Sequence, residues 1–173
     1  DNPMTEFKQS EQIQWLNEQY AANNMADGAS YRVYDLPIEA PTFGERTLVT
    51  DPADPIASPF GWHDTNGAAG PEFTNTQGNN VTAVNDQDSA GLNWLYNGGS
   101  YTFQGFAEGG SSLTFDFPID FTRNLYESAD ASTTNLFFIN NIMHDLWYQY
   151  GFTEAAGNFQ VNNYGNGGNQ TDQ

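Results

Sequence analysis

The sequence predicts an α+β fold, an antiparallel β-rich layer with long loops packed on one long helix, with a second helix at the N-terminus. Three observations predict it. Residues Asp130–Gly151 place Ile139, Ile142, Met143, Leu146, Trp147 and Tyr150 at i, i+3, i+4, i+7, i+8 and i+11, which is one helical stripe. Upstream of it, short β-prone runs alternate with glycine-rich turns. The first 26 residues carry a weaker helical pattern.

In chain order, residues 1–26 read as a helix with Phe7, Ile13, Leu16 and Tyr20 on one face, stopped by Asn23-Asn24 and Asp27-Gly28. A boundary near residue 28 divides a helical lead-in, 1–28, from a β-rich unit, 29–173. Tyr31–Leu36 alternates as a strand, with Tyr31, Val33 and Asp35 on one side. Pro37 and Pro41 assign it to a sheet edge or an extended linker, because proline has no N–H for a ladder. Thr47–Thr50 is a second short strand. Asp51–Gly78 reads as a long loop held by Phe60, Trp62 and Phe73.

Four more strands are predicted at Val81–Val84, Leu92–Tyr96, Tyr101–Phe106 and Leu113–Phe117. Asn97-Gly98-Gly99 and Glu108-Gly109-Gly110 serve as hairpin turns, and Phe115-Asp116-Phe117-Pro118 closes the sheet. The long helix follows, capped by Asp130, Ser132 or Thr133 and ended by Gly151, which can take a positive φ. Its stripe puts Leu146 in the core and His144 on the polar side. Asn158–Tyr164 is a last strand and Gly165–Gln173 a polar tail, open to proteolytic nicking.

Twenty-two acidic residues against four basic ones give a net charge of −18. Nucleic acid and anionic membrane surfaces are therefore excluded as partners. No apolar run is long enough for a membrane span, and Asp1 does not begin a signal peptide, so numbering that starts inside a longer precursor is expected. The absence of cysteine excludes disulfides and thiolate metal sites. Twenty-six aromatic residues (13 Phe, 9 Tyr, 4 Trp) supply the core that sparse aliphatics do not.

The chemistry-bearing residues are few. His63 and His144 are the only histidines, on a loop and on the long helix, and zinc needs several ligands close together. A hydrogen-bonding structural role is the reading for both. No G-x-S-x-G elbow and no phosphate-cradling loop occurs. Asp51–Asp54 and Asn85–Asp88 are candidate calcium carboxylates without the ordered spacing of an EF-hand. Asn80-Val81-Thr82 and Asn169-Gln170-Thr171 match the glycosylation sequon. On the residues alone, no catalytic or metal-ligating residue is assigned, and substrate-binding residues stay open.

Three segments carry a resemblance. They are Ala57-Ser58-Pro59-Phe60-Gly61-Trp62-His63-Asp64-Thr65-Asn66-Gly67 with Thr76-Gln77-Gly78-Asn79-Asn80-Val81, then Phe115-Asp116-Phe117-Pro118, and lastly Thr134-Asn135-Leu136-Phe137 through Asn140-Asn141-Ile142-Met143-His144-Asp145 to Tyr150-Gly151-Phe152-Thr153-Glu154-Ala155-Ala156-Gly157-Asn158-Phe159-Gln160. Together they resemble the fungalysin family of secreted zinc metallopeptidases, whose catalytic fold is similar to that of thermolysin. The likeness covers nearly all of residues 29–168.

The resemblance implies that the chain is the N-terminal portion of a thermolysin-like catalytic region, with residues 1–28 a helical lead-in or a propeptide-derived segment. It implies zinc for the full-length enzyme, a peptide or protein substrate, an extracellular location, and the remainder of the catalytic domain as partner. The family's His-Glu-x-x-His motif is not in these 173 residues, so the chain alone is expected to be an inactive scaffold. Self-association through surplus apolar helix surface is the associated expectation. The competing reading is a stand-alone acidic β-rich module that binds carbohydrate or protein, with sugars stacking on Trp62, Trp94, Tyr96 and Tyr101.

Overall fold

A computed structural model describes residues 27–38, 40–85, 94–97, 100–103 and 105–171. The helix expected over 1–26, and residues Asp86–Asp88 of one acidic cluster, lie outside the described residues. The elements are β1 (Ser30–Val33), β2 (Thr47–Thr50), β3 (Trp94–Asn97), β4 (Ser100–Phe103), β5 (Thr114–Phe115) and α1 (Ala129–Tyr148). Short 3-10 turns occupy Gly110–Ser112, Leu125–Ser128 and Glu154–Ala156. The α+β class is as expected.

The sheet is mixed rather than antiparallel throughout. Its order is β2-β1-β5, with β1 antiparallel to β2 from Ser30↔Thr50 to Val33↔Thr47 and parallel to β5 at Ser30↔Thr114 and Tyr31↔Phe115. β1 is thus the central strand, not an edge. It ends at Val33, before either proline, so no pyrrolidine ring interrupts its ladder. Tyr31 and Val33 point into the core, as the alternation predicts, and Arg32 points out to a bidentate pair with Asp116 at 2.8 and 3.0 Å. β3 and β4 form a separate hairpin in the register Asn97↔Ser100, which matches the Asn-Gly-Gly turn signal.

Three expected β features do not form. Val81–Val84 is reduced to the single bridge Gln77↔Thr82, and Asn158–Tyr164 has no strand. Side chains have taken the place of a ladder. The Thr76 hydroxyl donates to Ala83 O at 2.7 Å and accepts from Ala107 N at 3.2 Å. Asn79 holds Asn162 from both sides, donating Nδ2–H to its carbonyl (2.9 Å) and accepting from its N–H (2.7 Å). Glu108-Gly109-Gly110 is no hairpin turn: Glu108 bridges Asn75, and Gly110 starts a 3-10 turn. The 51–78 segment is irregular, as expected. It passes so close to itself that a Cβ on Gly78 would lie 1.7 Å from Trp62 O.

The core is aromatic. Tyr31, Trp62, Phe115, Phe137 and Phe138 are fully buried or nearly so, while Val33 and Leu113 are its principal aliphatics among the described residues. Tyr31 stacks on Phe115 with ring centroids 5.1 Å apart, and Trp62 meets Phe138 edge-on at 5.7 Å. Each such side chain contributes about 1.5–3 kcal/mol by leaving water.

α1 ends in a Schellman arrangement, with Gly151 N–H donating to Tyr148 O and Phe152 N–H to Trp147 O, and Gly151 at φ +93°. The expected glycine stop is therefore in place. The expected buried face is not. α1 buries Ala131, Thr133, Thr134, Phe137, Phe138, Asn141 and Asp145, whereas Met143, Leu146 and Trp147 of the predicted stripe are exposed. Ser128 stands at the N-cap, and neither Asp130, Ser132 nor Thr133 caps the helix. No helix among the described residues is long and apolar enough to cross a membrane.

Candidate functional site

The inward side of α1 holds a polar cluster centred on Asp145. Helical spacing sets Asn141 and Asp145 one turn apart on the side facing the 51–80 loop. Asp145 Oδ2 accepts from Asp54 N at 2.9 Å and from Trp62 Nε1 at 2.8 Å; Oδ1 accepts from Ser58 Oγ at 2.7 Å and pairs with His144 Nδ1 at 2.9 Å. Four partners fill the acceptor sites of one carboxylate. Asn80 Nδ2 then donates to Ser58 Oγ and Asn141 Oδ1, and Asn141 Nδ2 to Phe137 O.

Serine, histidine and aspartate therefore meet here, but in the wrong order for nucleophilic catalysis. Ser58 donates to the carboxylate and not to His144, whose Nε2 accepts from Asn158 Nδ2 at 3.2 Å. A catalytic serine needs the imidazole between it and the acid. The cluster is a brace that holds the loop on the helix.

His63 is fully buried. Its Nδ1 faces Gln77 O at 3.0 Å and must carry the proton, so Nε2 accepts from the Tyr31 hydroxyl at 2.7 Å. The ring lies between Phe115 and Phe137, with centroids at 5.2 and 5.0 Å. Both histidines thus have both ring nitrogens engaged in hydrogen bonds within the fold. Their hydrogen-bond partners are different residues, so the fold does not join them in one site.

Burial pulls the His63 pKa down to about 4, against the partial opposition of the Gln77 carbonyl. The unfolded chain, with an ordinary imidazole near 6.5, then binds more protons than the folded one between those values. Stability is complete above the unfolded pKa and is lost as pH falls toward 4. The expected loss is ~3 kcal/mol. Asp27 and Asp64, both raised above 3.8 by burial, act in the opposite sense and add stability as pH falls through their folded values toward 3.8. Urea midpoints from pH 7 to pH 4 should fall accordingly, and His63→Gln should flatten the profile; an unchanged slope in that variant would assign it to other groups.

A second buried carboxylate, Asp64, accepts from Tyr164 Oη at 2.9 Å and Gly67 N at 3.0 Å. The Tyr164 hydroxyl is pushed well above its usual range by burial and by Asp64. Tyr148 is pushed up to about 12 by burial and Glu154. The 165–171 stretch is exposed, as a polar tail should be, yet it is held: Asn163 Nδ2 donates to Asn169 O at 3.0 Å, Asn166 Nδ2 to Glu154 Oε1 at 2.9 Å, and Thr171 N to Gln160 O at 3.0 Å.

Of the candidate calcium carboxylates, Asp51 and Asp54 are engaged in hydrogen bonds. Asp51 Oδ1 accepts from Gly28 N, and Asp54 accepts from Ile56 N, Ala57 N and Gln149 Nε2. Among the described residues no group of three or more His, Asp or Glu is placed to hold a metal. Trp62 is core, which removes it as a sugar platform; the side chains of Trp94, Tyr96 and Tyr101 lie outside what is described. Asn80 is buried, and its side chain also accepts from Gln160 Nε2, so that sequon is closed to glycosylation in the folded chain. Asn169 is exposed. Sequence reasoning missed the Asp145 brace; its one local signal is the acid adjoining His144.

A sequence model described as fungalysin metallopeptidase matches residues 30–173. Extracellular metalloproteinase 2 of Phaeosphaeria nodorum is 37% identical over 150 residues, 86% of this chain and 22% of that protein. Extracellular metalloproteinase 5 of Trichophyton rubrum is 39% identical over 145 residues, 83% of this chain and 21% of that protein. Extracellular metalloproteinase MEP of Leptosphaeria maculans is 39% identical over 151 residues, 86% and 22% of the two chains. The chain spans about a fifth of the length of these relatives.

Proposed function

This chain belongs to the fungalysin metallopeptidase family, and from that premise we propose that it is the N-terminal scaffold of a secreted zinc metalloendopeptidase acting on peptides or proteins. The observation that carries the reading is the family match over 30–173, together with relatives named extracellular metalloproteinases of which this chain spans about a fifth. The match begins at residue 30, which supports a lead-in over 1–28 and a catalytic-region unit from 29.

The two histidines do not fit a zinc site. His63 has both ring nitrogens engaged inside an aromatic core, and His144 spans Asp145 and Asn158. Zinc, where bound in the longer enzyme, supplies polarisation of water and of a peptide carbonyl; we assign its ligands to residues outside this chain. What these residues do is mechanical. The Asp145 brace fixes the 51–62 loop against α1, and the Tyr31–His63 bond fixes the same loop against the sheet.

The test is expression of the complete reading frame. The full-length protein should hydrolyse casein, lose that activity on chelation and regain it with zinc, while the 173-residue chain alone shows none. A reading frame without a His-Glu-x-x-His motif, or hydrolysis by the 173 residues alone, would overturn the scaffold assignment.

A further inference from the structure

The long helix has its polarity inverted. α1 turns Thr133, Thr134, Asn141 and Asp145 inward beside Phe137 and Phe138, while Leu136, Met143, Leu146 and Trp147 face outward. A helix bounding a finished protein is arranged the other way, with its apolar stripe inside. Its two acidic residues are Asp130 in the first turn and the buried Asp145, and it has no Lys or Arg. From Leu136 onward the outward side therefore carries no formal charge, in a chain with 22 acidic residues.

That side is apolar apart from the exposed Asn140, whose Nδ2 donates to Leu136 O. Leu136, Met143, Leu146, Trp147 and Tyr150 run along about 21 Å of axis, and Trp147 meets Tyr150 edge-on at 6.0 Å. With Trp147 50% and Tyr150 77% exposed, the strip leaves on the order of 500 Å² of side-chain surface in water, at the upper end of patches on monomeric proteins. At the start of the helix a cleft of about 290 Å³ between Tyr126, Ser132 and Leu136 prolongs it.

We infer that this outer face of α1 is interior surface in the complete protein, covered by a further segment of the same polypeptide whose packing side is apolar and uncharged. The inference rests on the reading of this chain as part of a longer peptidase. Relatives are almost five times the length that this chain spans in them, so such a segment is at hand. Tethering places it at an effective concentration in the ~mM range. A second copy is the poorer occupant, because two bodies of charge −18 repel one another as they approach. A basic partner would find no carboxylate on this face to pair with.

Residue-resolved hydroxyl-radical labelling of the secreted full-length protein tests this. After correction for intrinsic reactivity, Met143 and Trp147 should react as slowly as the buried Trp62, and about tenfold more slowly than the exposed Phe43 and Phe121. Labelling of Met143 and Trp147 at the rate of Phe43 overturns the inference. Protection that fades on dilution assigns the face to a second copy and overturns it equally. Casein hydrolysis by the same sample is scored separately. An active enzyme with freely labelled Trp147 removes this inference and leaves the peptidase reading intact; an inactive enzyme with protected Trp147 does the reverse.

Discussion

Asp145→Ala should lower the stability of the chain to urea by ~3–5 kcal/mol, the cost typical of removing one partner from a buried charged network. The carboxylate is 6% exposed and serves Asp54 N, Ser58 Oγ, Trp62 Nε1 and His144 Nδ1 together. Truncation leaves buried donors without an acceptor, at about 1–3 kcal/mol for each that water does not reach. Asp145→Asn keeps the volume and one oxygen but turns an amide donor toward other donors, so it should recover only part of the loss. Urea unfolding of the three proteins measures the series. A loss below ~1 kcal/mol for the alanine variant would show that water replaces the carboxylate, and the brace would then have little energetic weight.

Phe137→Ala should cost ~3–5 kcal/mol, whereas Leu146→Ala, nine residues along the same helix, should stay within ~0.5 kcal/mol. Phe137 is fully buried and touches Tyr31, Trp62 and His63, with ring centroids at 6.2, 6.2 and 5.0 Å; Leu146 is 41% exposed. The apolar periodicity of the sequence puts Leu146 in the core, where its loss would be large. Equal losses in chemical denaturation would mean that both sides of α1 are packed in the isolated chain.

The contrast between those two residues shows what the sequence could and could not reveal. Thr47–Thr50 is legible because a β-prone run between turn residues has few other options, and Gly151 because a helix stop needs a residue that accepts φ > 0. The inward face of α1 is not legible. Its polar members, Asn141 and Asp145, are buried because they satisfy a distant loop, and spacing along the helix says nothing of Ser58 or Trp62. The parallel pairing of β1 with β5 escapes for the same reason, since alternation gives a strand its faces but not its neighbours. The strands expected at 81–84 and 158–164 fail where asparagine and threonine side chains imitate the backbone. The resemblance to the fungalysin family is legible only in the motifs taken together, because both histidines of this chain have their ring nitrogens engaged in hydrogen bonds within the fold.

The central position of β1 also has a consequence for the order in which the protein can be built. Its antiparallel neighbour ends at Thr50, but its parallel neighbour starts only at Thr114 and its helical cover at Ala129. At translation rates of about 5–20 residues per second, the nascent chain waits roughly 4–16 s between emergence of β1 and emergence of the residues that complete its ladder. Through that interval the strand carrying Tyr31 and Val33 has one open hydrogen-bonding edge. The aromatic side chains meant for the core are then in reach of other nascent chains, so yield should respond to translation speed and to holdase chaperones more strongly than to the stability of the finished fold.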